Sequence, residues 1–291
     1  MNRETGDTTC YREAAQMSKR ANQNYSPAAR GFTTLTFPTL IRSAMKRDWH
    51  GQENIPRTGG VIVAGNHLSY ADWAAMALFV HQAGRYPAFL IKSSAFNVKV
   101  LGSFLHACGQ LPVNRGSTDA ALVLKEAETA LAQGECVIIY PEGTATRDPG
   151  GWPMVAKTGV ARLALATGVP VIPLATWGAQ EILPYGSKKV HLWPRHMVRM
   201  LAGPAVDLSA YAGQPLNRDV LRAATATIMA DITGLLAKLR GEAPPASPYD
   251  PVAARRAARQ EAAAQGAAPQ GEEQNFQNEP GGDDPRNAMP A

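Results

Sequence analysis

With 291 residues, of which 45% are hydrophobic, the chain can bury a substantial core, and one domain of about 200 residues with extensions is the simplest division. Its three cysteines are an odd number without a Cys-x-x-Cys spacing, which argues against a disulfide framework and a zinc site. The net charge of +5 is uneven: residues 243–291 hold four arginines and seven acidic residues, so the first 242 residues carry +8, which suits an anionic lipid surface, a phosphorylated substrate, coenzyme A or nucleic acid as a partner.

The N-terminal region, residues 1–30, is polar and has no sustained hydrophobic period, which predicts a flexible lead-in. It lacks the apolar segment of a signal peptide, so we expect a cytosolic chain. The longest uninterrupted apolar runs, such as Ala74–Val80, are far shorter than the roughly 18 to 20 residues of a membrane span. Any membrane contact is therefore expected to be peripheral.

A basic amphipathic helix is predicted to follow the lead-in. Pro38 suits its first turn, and apolar residues recur at spacings of three and four along one side. The apolar side consists of Phe37, Leu40, Ile41, Ala44 and Met45, and the basic side of Arg42, Lys46 and Arg47. Such a helix either lies in the headgroup region of an anionic membrane or packs on the core of the domain, and the pattern allows both.

A histidine and an aspartate occupy the turn between the next two predicted elements. The β-branched run Val61–Gly65 predicts a buried strand, and the segment Trp73–Val80 predicts a helix. In the turn between them, Asp72 can accept a proton from one imidazole nitrogen of His67 and leave the other nitrogen free to deprotonate a hydroxyl. The same pair is equally compatible with a helix-capping aspartate and a buried histidine of purely structural role.

Strands and helices alternate along the rest of the chain. Strands are predicted at Ala88–Ile91, Leu111–Val113, Cys136–Tyr140, Val169–Leu174, Val190–Leu192 and Val198–Leu201, and helices at Ser117–Gln133, Lys157–Thr167 and Asn217–Arg240. This alternation predicts an α/β fold: a single-domain sheet, partly parallel, with helices on its faces. Residues 242–291 are rich in Pro, Ala, Gln, Gly and Glu, and we expect a disordered tail with at most a transient helix over 253–264.

Four short blocks follow one another in a fixed order. They are Asn66–Asp72 with the pattern His-x-x-x-x-Asp, Gly109–Arg115, Tyr140–Thr144 with Pro-Glu-Gly-Thr, and Val169–Leu174 with Val-Pro-Val-Ile-Pro. Together they resemble the glycerophospholipid acyltransferase family, the lysophosphatidic acid acyltransferases. The resemblance covers roughly residues 30 to 240, and it implies that residues 31–241 form an acyltransferase domain that includes the amphipathic helix.

The resemblance implies a catalytic role for the first block. His67 is expected to be the general base and Asp72 the residue that orients it. The acyl donor, acyl-CoA or acyl carrier protein, carries a thioester that is already activated, so neither a covalent nucleophile nor a cofactor or metal is expected. In keeping with this, the chain has no Gly-x-Ser-x-Gly elbow, no Gly-x-Gly-x-x-Gly motif and no Walker loop.

The resemblance also implies a site for the acceptor. Arg115 is expected to bind the acceptor phosphate, because a guanidinium meets phosphate oxygens in pairs. The third block is expected to contribute Glu142, Gly143 and Thr144. In the family this block usually continues Thr-Arg-Ser, whereas here it continues Thr-Ala-Thr-Arg. We therefore expect Arg147 or Lys157 to take the place of the second phosphate-binding arginine.

These features predict a peripheral enzyme on the cytoplasmic face of the cell membrane that acylates the free hydroxyl of lysophosphatidic acid and gives phosphatidic acid. Acylation of another lysolipid or of a lipid-linked acceptor is the nearest alternative. A non-catalytic acyl-CoA or lipid-binding protein is a second alternative, but it would not need His67 and Asp72. Nucleic acid is not an expected partner, because the basic residues are not interleaved with aromatic ones.

Overall fold

The computed structural model describes residues 26–113, 120–187 and 189–264. The chain divides into two compact units, residues 1–249 and residues 250–291. The described residues of the second unit form one helix, Pro251–Ala264 (α8), within the segment for which a tail with a transient helix was predicted. The predicted lead-in and domain boundaries stay predictions.

The first unit alternates strands and helices. Its strands are β1 (Met45–His50), β2 (Val61–Gly65), β3 (Pro87–Lys92), β4 (Leu111–Val113), β5 (Cys136–Ile139), β6 (Val171–Trp177) and β7 (His196–Ala202). Its helices are α1 (Pro27–Ala44), α2 (Asp72–Gln82), α3 (Lys99–Ala107), α4 (Ala120–Ala132), α5 (Gly159–Thr167), α6 (Ala179–Ile182) and α7 (Arg218–Arg240). Short 3-10 helices lie at Gln52–Asn54, Ser93–Asn97 and Ser209–Tyr211.

All seven strands form one sheet in the order β1-β7-β6-β2-β5-β3-β4. The pairs β6–β2, β2–β5, β5–β3 and β3–β4 are parallel, β6–β7 is antiparallel, and β7–β1 is again parallel. Strands β2 to β6 therefore end together at one end of the sheet, which we term the carboxyl end, and β7 begins there. The predicted α/β fold with a partly parallel sheet is confirmed.

The central strands are buried on both faces, because successive side chains of a strand point to opposite sides. One face carries Ile62 and Val137 and is covered by α4, α5 and α7. The other face carries Val63 and Ile138 and is covered by α2. A strand enclosed in this way needs an uninterrupted apolar run, which is why β2 and β5 could be predicted from short segments.

Helix α7 is long and apolar because it is a core helix. Asn217 caps it, its Oδ1 accepting hydrogen bonds from the backbone N–H of Asp219 and Val220, and Gly241 ends it with a φ of +67°. Among the described residues it is the one helix whose length and composition would allow it to cross a membrane. Its apolar side, including Ile228 and Ile232, is buried in the domain. Burial in the core accounts for this composition.

The N-terminal helix differs from its prediction. It begins at Pro27, eleven residues before Pro38, because Ser26 is a favourable N-cap and its hydroxyl accepts a hydrogen bond from the backbone N–H of Ala29. It ends at Ala44, so Lys46 and Arg47 lie in β1 and not on the predicted basic side of the helix. These two residues were misassigned because β1 pairs with β7, about 150 residues away, and no local pattern shows that pairing.

Two further segments differ. Val190–Leu192, predicted as a strand, lies in the loop before β7, because β6 pairs directly with β7 and leaves this segment no neighbour. Helix α3 was not predicted; it follows the 3-10 helix Ser93–Asn97, and Gly102 lets it pack closely on the preceding backbone. A Cβ on Gly102 would lie only 1.9 Å from the carbonyl oxygen of Phe96.

Candidate active site

His67 leaves the carboxyl end of the sheet directly after β2. The preceding residue, Asn66, is buried and fastens this point to β6 through two hydrogen bonds. Its Nδ2 donates to the carbonyl oxygen of Thr176 over 3.1 Å, and its Oδ1 accepts from the backbone N–H of Thr176 over 2.8 Å. The backbone from which His67 emerges is thereby held against the neighbouring strand.

Asp72 holds the imidazole of His67 and closes the turn around it. Its Oδ2 lies 3.0 Å from Nδ1 of His67 and accepts hydrogen bonds from the backbone N–H of Leu68 and Ser69, over 2.5 and 2.8 Å. An oxygen that accepts from Nδ1–H fixes the tautomer in which Nε2 is the free acceptor. The carboxylate therefore contacts the imidazole and also closes the turn before α2, whose N-cap is Ala71 and not Asp72.

The histidine is accessible while its aspartate is not. The side chain of His67 is 13% exposed and that of Asp72 is 0% exposed. Nε2 of His67 makes no hydrogen bond to any residue within the described ranges, so it is available to a substrate hydroxyl. This is the geometry of a general base with an orienting partner.

Tyr140, which the sequence analysis did not single out as a site residue, stacks on His67. The ring centroids are 4.3 Å apart and the planes 19° from parallel, and the ring of Tyr70 lies edge-on to His67 at 6.2 Å. Burial, with a smaller contribution from the charge of Asp72, raises the pKa of Tyr140 well above its usual range. Its hydroxyl makes no hydrogen bond within the described part of the chain. The signal available in the sequence was its place at the end of a predicted strand, directly before the Pro-Glu-Gly-Thr residues of the third block.

Glu142 joins three segments of the site. Its side chain is buried, Oε1 accepts from the backbone N–H of His67 over 3.0 Å, and Oε2 accepts from the backbone N–H of Met154 over 2.9 Å. Burial raises the pKa of its carboxyl to about 7, although the two backbone donors act in the opposite direction. Both oxygens thus face the protein's own backbone, and the predicted part of Glu142 in an acceptor pocket stays a prediction.

The remainder of the third block lies beside His67. The backbone N–H of Thr146 donates to the carbonyl oxygen of His67 over 2.7 Å. Gly143 has a φ of +75°, and a Cβ there would lie 3.1 Å from Nζ of Lys157. The backbone N–H of Lys157 donates to the carbonyl oxygen of Pro141 over 2.9 Å. Lys157 is therefore brought to the block, and its side chain is exposed.

The residues predicted to bind the acceptor phosphate differ in their burial and contacts. Arg147 is half-buried, and its backbone N–H lies 3.2 Å from Sδ of Met154. Ala145, which occupies the usual arginine position of the block, is fully buried. Arg115 lies outside the described residues, and its predicted contact with a phosphate stays a prediction. Thr144 is half-buried between Gly143 and Ala145.

Other kinds of chemistry find no support in the residues that the structure describes. No group of three or more His, Cys, Asp or Glu side chains in these ranges could hold a metal ion. Cys108 and Cys136 are both buried, and burial raises the pKa of the Cys136 thiol to about 12. A thiol with that pKa is protonated at neutral pH and is a poor nucleophile.

Comparison with known proteins gives concordant results. The family model described as Acyltransferase matches residues 46–177. A chloroplastic 1-acyl-sn-glycerol-3-phosphate acyltransferase of Brassica napus is 30% identical over 148 residues, which are 50% of this chain and 41% of the relative. A 1-acyl-sn-glycerol-3-phosphate acyltransferase of Borreliella burgdorferi is 31% identical over 132 residues, 45% of this chain and 51% of the relative. The chain thus spans about half the length of the curated relatives it matches.

The fold also matches a solved structure. The 1-acyl-sn-glycerophosphate acyltransferase PlsC of Thermotoga maritima superimposes with a TM-score of 0.58 at 23% sequence identity. The match covers 74% of this chain and 83% of the other. At this identity the similarity establishes a common fold.

Proposed function

We propose that the chain is a member of the acyltransferase family that includes the 1-acyl-sn-glycerol-3-phosphate acyltransferases. In this proposal it transfers a fatty acyl group from a thioester donor to the free hydroxyl of lysophosphatidic acid, giving phosphatidic acid. The observation that carries this proposal is the pair His67 and Asp72, joined over 3.0 Å, with Nε2 of the histidine accessible at the carboxyl end of the sheet. The donor is acyl-CoA or acylated acyl carrier protein.

In the first step, Nε2 of His67 takes the proton from the acceptor hydroxyl as its oxygen attacks the thioester carbonyl carbon. The imidazole becomes an imidazolium, and the buried carboxylate of Asp72 stabilises that positive charge through Nδ1–H. Because this carboxylate also accepts two backbone hydrogen bonds, it cannot rotate away as the charge develops. The result is a tetrahedral intermediate whose former carbonyl oxygen is negatively charged.

In the second step, the intermediate collapses and the carbon–sulfur bond breaks. The departing thiolate takes the proton that His67 acquired, and the histidine returns to its neutral form. Atoms and charge balance over the two steps. No covalent enzyme intermediate is needed, because the donor thioester is already activated. Two hydrogen bonds hold the backbone of His67 in place through both steps and support this scheme: its N–H donates to the Glu142 carboxylate, and its carbonyl oxygen accepts from the backbone N–H of Thr146.

The acceptor phosphate is proposed to meet Arg115, Arg147 and Lys157. Lys157 is exposed and lies against Gly143, and Arg147 is half-buried four residues after Gly143. Both lie in or beside the third block, which contacts His67. Two or more cations suit a phosphomonoester, which carries close to two negative charges at neutral pH. We further propose that the protein works as a peripheral protein on the cytoplasmic face of the membrane that contains this acceptor.

A different lysolipid or a lipid-linked acceptor is the second candidate. It is favoured by Ala145, a fully buried residue at the position where the family usually has an arginine. Burial leaves no room there for a long cationic side chain, so a second phosphate contact depends on Arg147 or Lys157. Fewer phosphate contacts would suit an acceptor with a phosphodiester or with no phosphate.

An acceptor screen with radiolabelled acyl-CoA tests the proposal. Purified protein is incubated with lysophosphatidic acid, lysophosphatidylcholine or monoacylglycerol, and labelled products are separated by chromatography. We expect labelled phosphatidic acid from lysophosphatidic acid, and about a hundredfold less or lower still with His67→Ala. Preferred labelling of another acceptor would select the second candidate. Binding of acyl-CoA without transfer to any acceptor, equal in both proteins, would identify a non-catalytic binding protein.

A further inference from the structure

Exposed apolar side chains are concentrated at one end of the molecule. Fifteen large apolar side chains are exposed in the described residues. Twelve of them lie in the segments that leave the carboxyl ends of β2, β3, β5 and β6, or at the start of β7. In the described connections at the opposite end of the sheet, the set contains only Leu216. This distribution is not expected of scattered surface residues and indicates an interaction surface.

Two groups of these residues lie on either side of the active site. The first group is at the start of α3, which follows β3: Val98, Val100 and Leu101. The second group is in the loop between β6 and β7: Val190, Leu192 and Trp193. The sheet order β6-β2-β5-β3 places β2 and β5, which carry His67 and Tyr140, between the two groups.

Both groups present their side chains to solvent from a defined backbone. Val100 and Trp193 are each 85% exposed. Gly102 packs against the backbone of Phe96, so the opposite side of α3, with Val100 and Leu101, is turned outward. The loop of Trp193 is tied down by the backbone N–H of His191, which donates to the carbonyl oxygen of Ile182 over 2.7 Å.

Both groups lie in stretches of the sequence that contain basic residues and no acidic ones. The sequence has no Asp or Glu from Trp73 to Thr118, a stretch that contains Lys92 and Lys99. It has none from Ile182 to Val206, which contains Lys189 and Arg195. Both stretches combine exposed apolar side chains, including a tryptophan, with lysines and without carboxylates. This composition suits the interfacial region of an anionic bilayer. A protein partner would not require this one-sided charge.

We infer that the carboxyl end of the sheet docks on an anionic phospholipid bilayer, with Val100 and Leu101 on one side of the active site and Trp193 on the other inserted among the acyl chains. Lys99 and Lys189 then meet the headgroup phosphates, and His67 faces the membrane. The inference rests on the proposed function, which places the acceptor in a bilayer. It differs from docking through the basic side predicted for the N-terminal helix, because two of those cations lie in β1.

Co-sedimentation with vesicles tests this orientation. The vesicles contain equal amounts of phosphatidylcholine and phosphatidylglycerol, and the proteins are the wild type, Val100→Ser/Leu101→Ser and Trp193→Ser. Leu216→Ser is the matched control, because it removes an exposed leucine from the opposite end. We expect each docking variant to lower the vesicle partition coefficient about tenfold, and the control to leave it unchanged. High salt should weaken binding of the wild type.

Turnover of detergent-dispersed lysophosphatidic acid separates this inference from the proposed function. The docking variants should keep wild-type turnover there, since none of the altered residues is assigned to the site. Vesicle binding by the docking variants equal to that of the wild type would overturn the inference, as would an equal loss in Leu216→Ser. A wild type that binds vesicles through these residues but acylates no lysophosphatidic acid would support the docking surface and refute the proposed function.

Fluorescence quenching provides a second measurement. Lipids brominated in their acyl chains quench a tryptophan that enters the bilayer. We expect strong quenching in the wild type and clearly less in Trp193→Phe, a change that keeps an apolar ring at this exposed position. Equal quenching in both proteins would show that Trp193 stays outside the bilayer and would overturn the inference.

Discussion

The loops that follow β2 and β5 each contain a buried carboxylate, yet the two carboxylates are held in opposite ways. Among the described residues, the donors to Asp72 all lie within five residues of it, namely Nδ1 of His67 and two backbone N–H groups. Glu142 accepts from backbone N–H groups 75 and 12 residues away. Asp72 closes a local turn and contacts an imidazole, whereas Glu142 connects segments that are distant in the chain.

We therefore expect Asp72 to matter for the chemistry at His67 and Glu142 to matter for the assembly of the site. Replacing Asp72 should affect the proton held by His67, with limited effect on the rest of the fold. Replacing Glu142 should loosen the connection between the two loops and so lower stability, because its partners belong to different segments. The expected results below are ordered from the largest effect to the smallest.

The largest effect is expected from His67→Ala. Removing the proposed base should lower kcat for acyl transfer by about 10² to 10⁴-fold, while thermal unfolding stays near that of the wild type. His50→Ala is the matched control, since it removes an exposed histidine that also pairs with an aspartate, Asp48, over 2.8 Å. Activity of His67→Ala within about tenfold of wild type would eliminate His67 as the base.

Asp72→Asn should lower kcat by about 10²-fold or more, because an amide allows the imidazole to adopt the wrong tautomer. The matched control is Asp148→Asn in the other loop, where the carboxylate accepts a hydrogen bond from the backbone N–H of Trp152 over 2.8 Å. Steady-state kinetics should show a much smaller effect for the control. Equal losses would mean that both aspartates only shape their loops, and the contrast between the loops would disappear.

Glu142→Gln should change stability and its pH dependence. The pKa of Glu142 is raised from 4.5 to about 7 in the folded protein, so the folded state binds this proton more tightly than the unfolded state. The resulting stabilisation is complete below pH 4.5 and is lost as the pH rises to 7, at most about 3 kcal/mol. Urea unfolding from pH 4.5 to 7.5 should show this fall in the wild type and not in the variant.

The same substitution also has a cost that does not depend on pH. The glutamine amide brings an N–H donor to face a backbone N–H, so one buried hydrogen bond is lost, at about 1 to 3 kcal/mol. A variant as stable as the wild type at every pH would show that Glu142 does not join the two loops. Its turnover per folded molecule should fall less than that of Asp72→Asn.

Arg115→Ala, Arg147→Ala and Lys157→Ala test the phosphate site. Loss of a charge-assisted contact of about 1.5 to 3 kcal/mol should raise KM for lysophosphatidic acid at least tenfold in one or more of them, with KM for the acyl donor nearly unchanged. Arg57→Ala, an exposed arginine in the connection at the opposite end of the sheet, is the control. If all three variants keep the wild-type KM, the acceptor is not a phosphomonoester.

The smallest effect is expected from Gly143→Ala. Its φ of +75° makes alanine costly by about 1 to 2 kcal/mol, and the new methyl group would press on Lys157. Gly168→Ala is the control, because Gly168 has a φ of +68° with open space around its Cβ position. Both variants should lose similar stability in denaturant unfolding. Only Gly143→Ala should also raise the KM for the acceptor. An unchanged KM would indicate that Lys157 does not contact the acceptor.

The sequence by itself was sufficient for features with a local cause. The apolar runs of β2 and β5 and the caps of α7 identified most elements within a few residues, and the predicted α/β fold and family resemblance are confirmed. The pair of His67 and Asp72 could be predicted for the same reason, since a hydrogen bond across five residues depends only on the turn between them. The catalytic role of the pair and the acceptor contacts stay predictions.

Only the tertiary structure decided features whose partners are distant in the chain. Strand β1 exists because β7 offers it hydrogen bonds, and Glu142 holds His67 across 75 residues. Tyr140 reaches the imidazole because the strand order makes β5 a neighbour of β2. The same order sets the exposed start of α3 and the loop of Trp193 on either side of the site. Local propensity carries no information about strand order, because long-range pairing depends on how the whole apolar core packs.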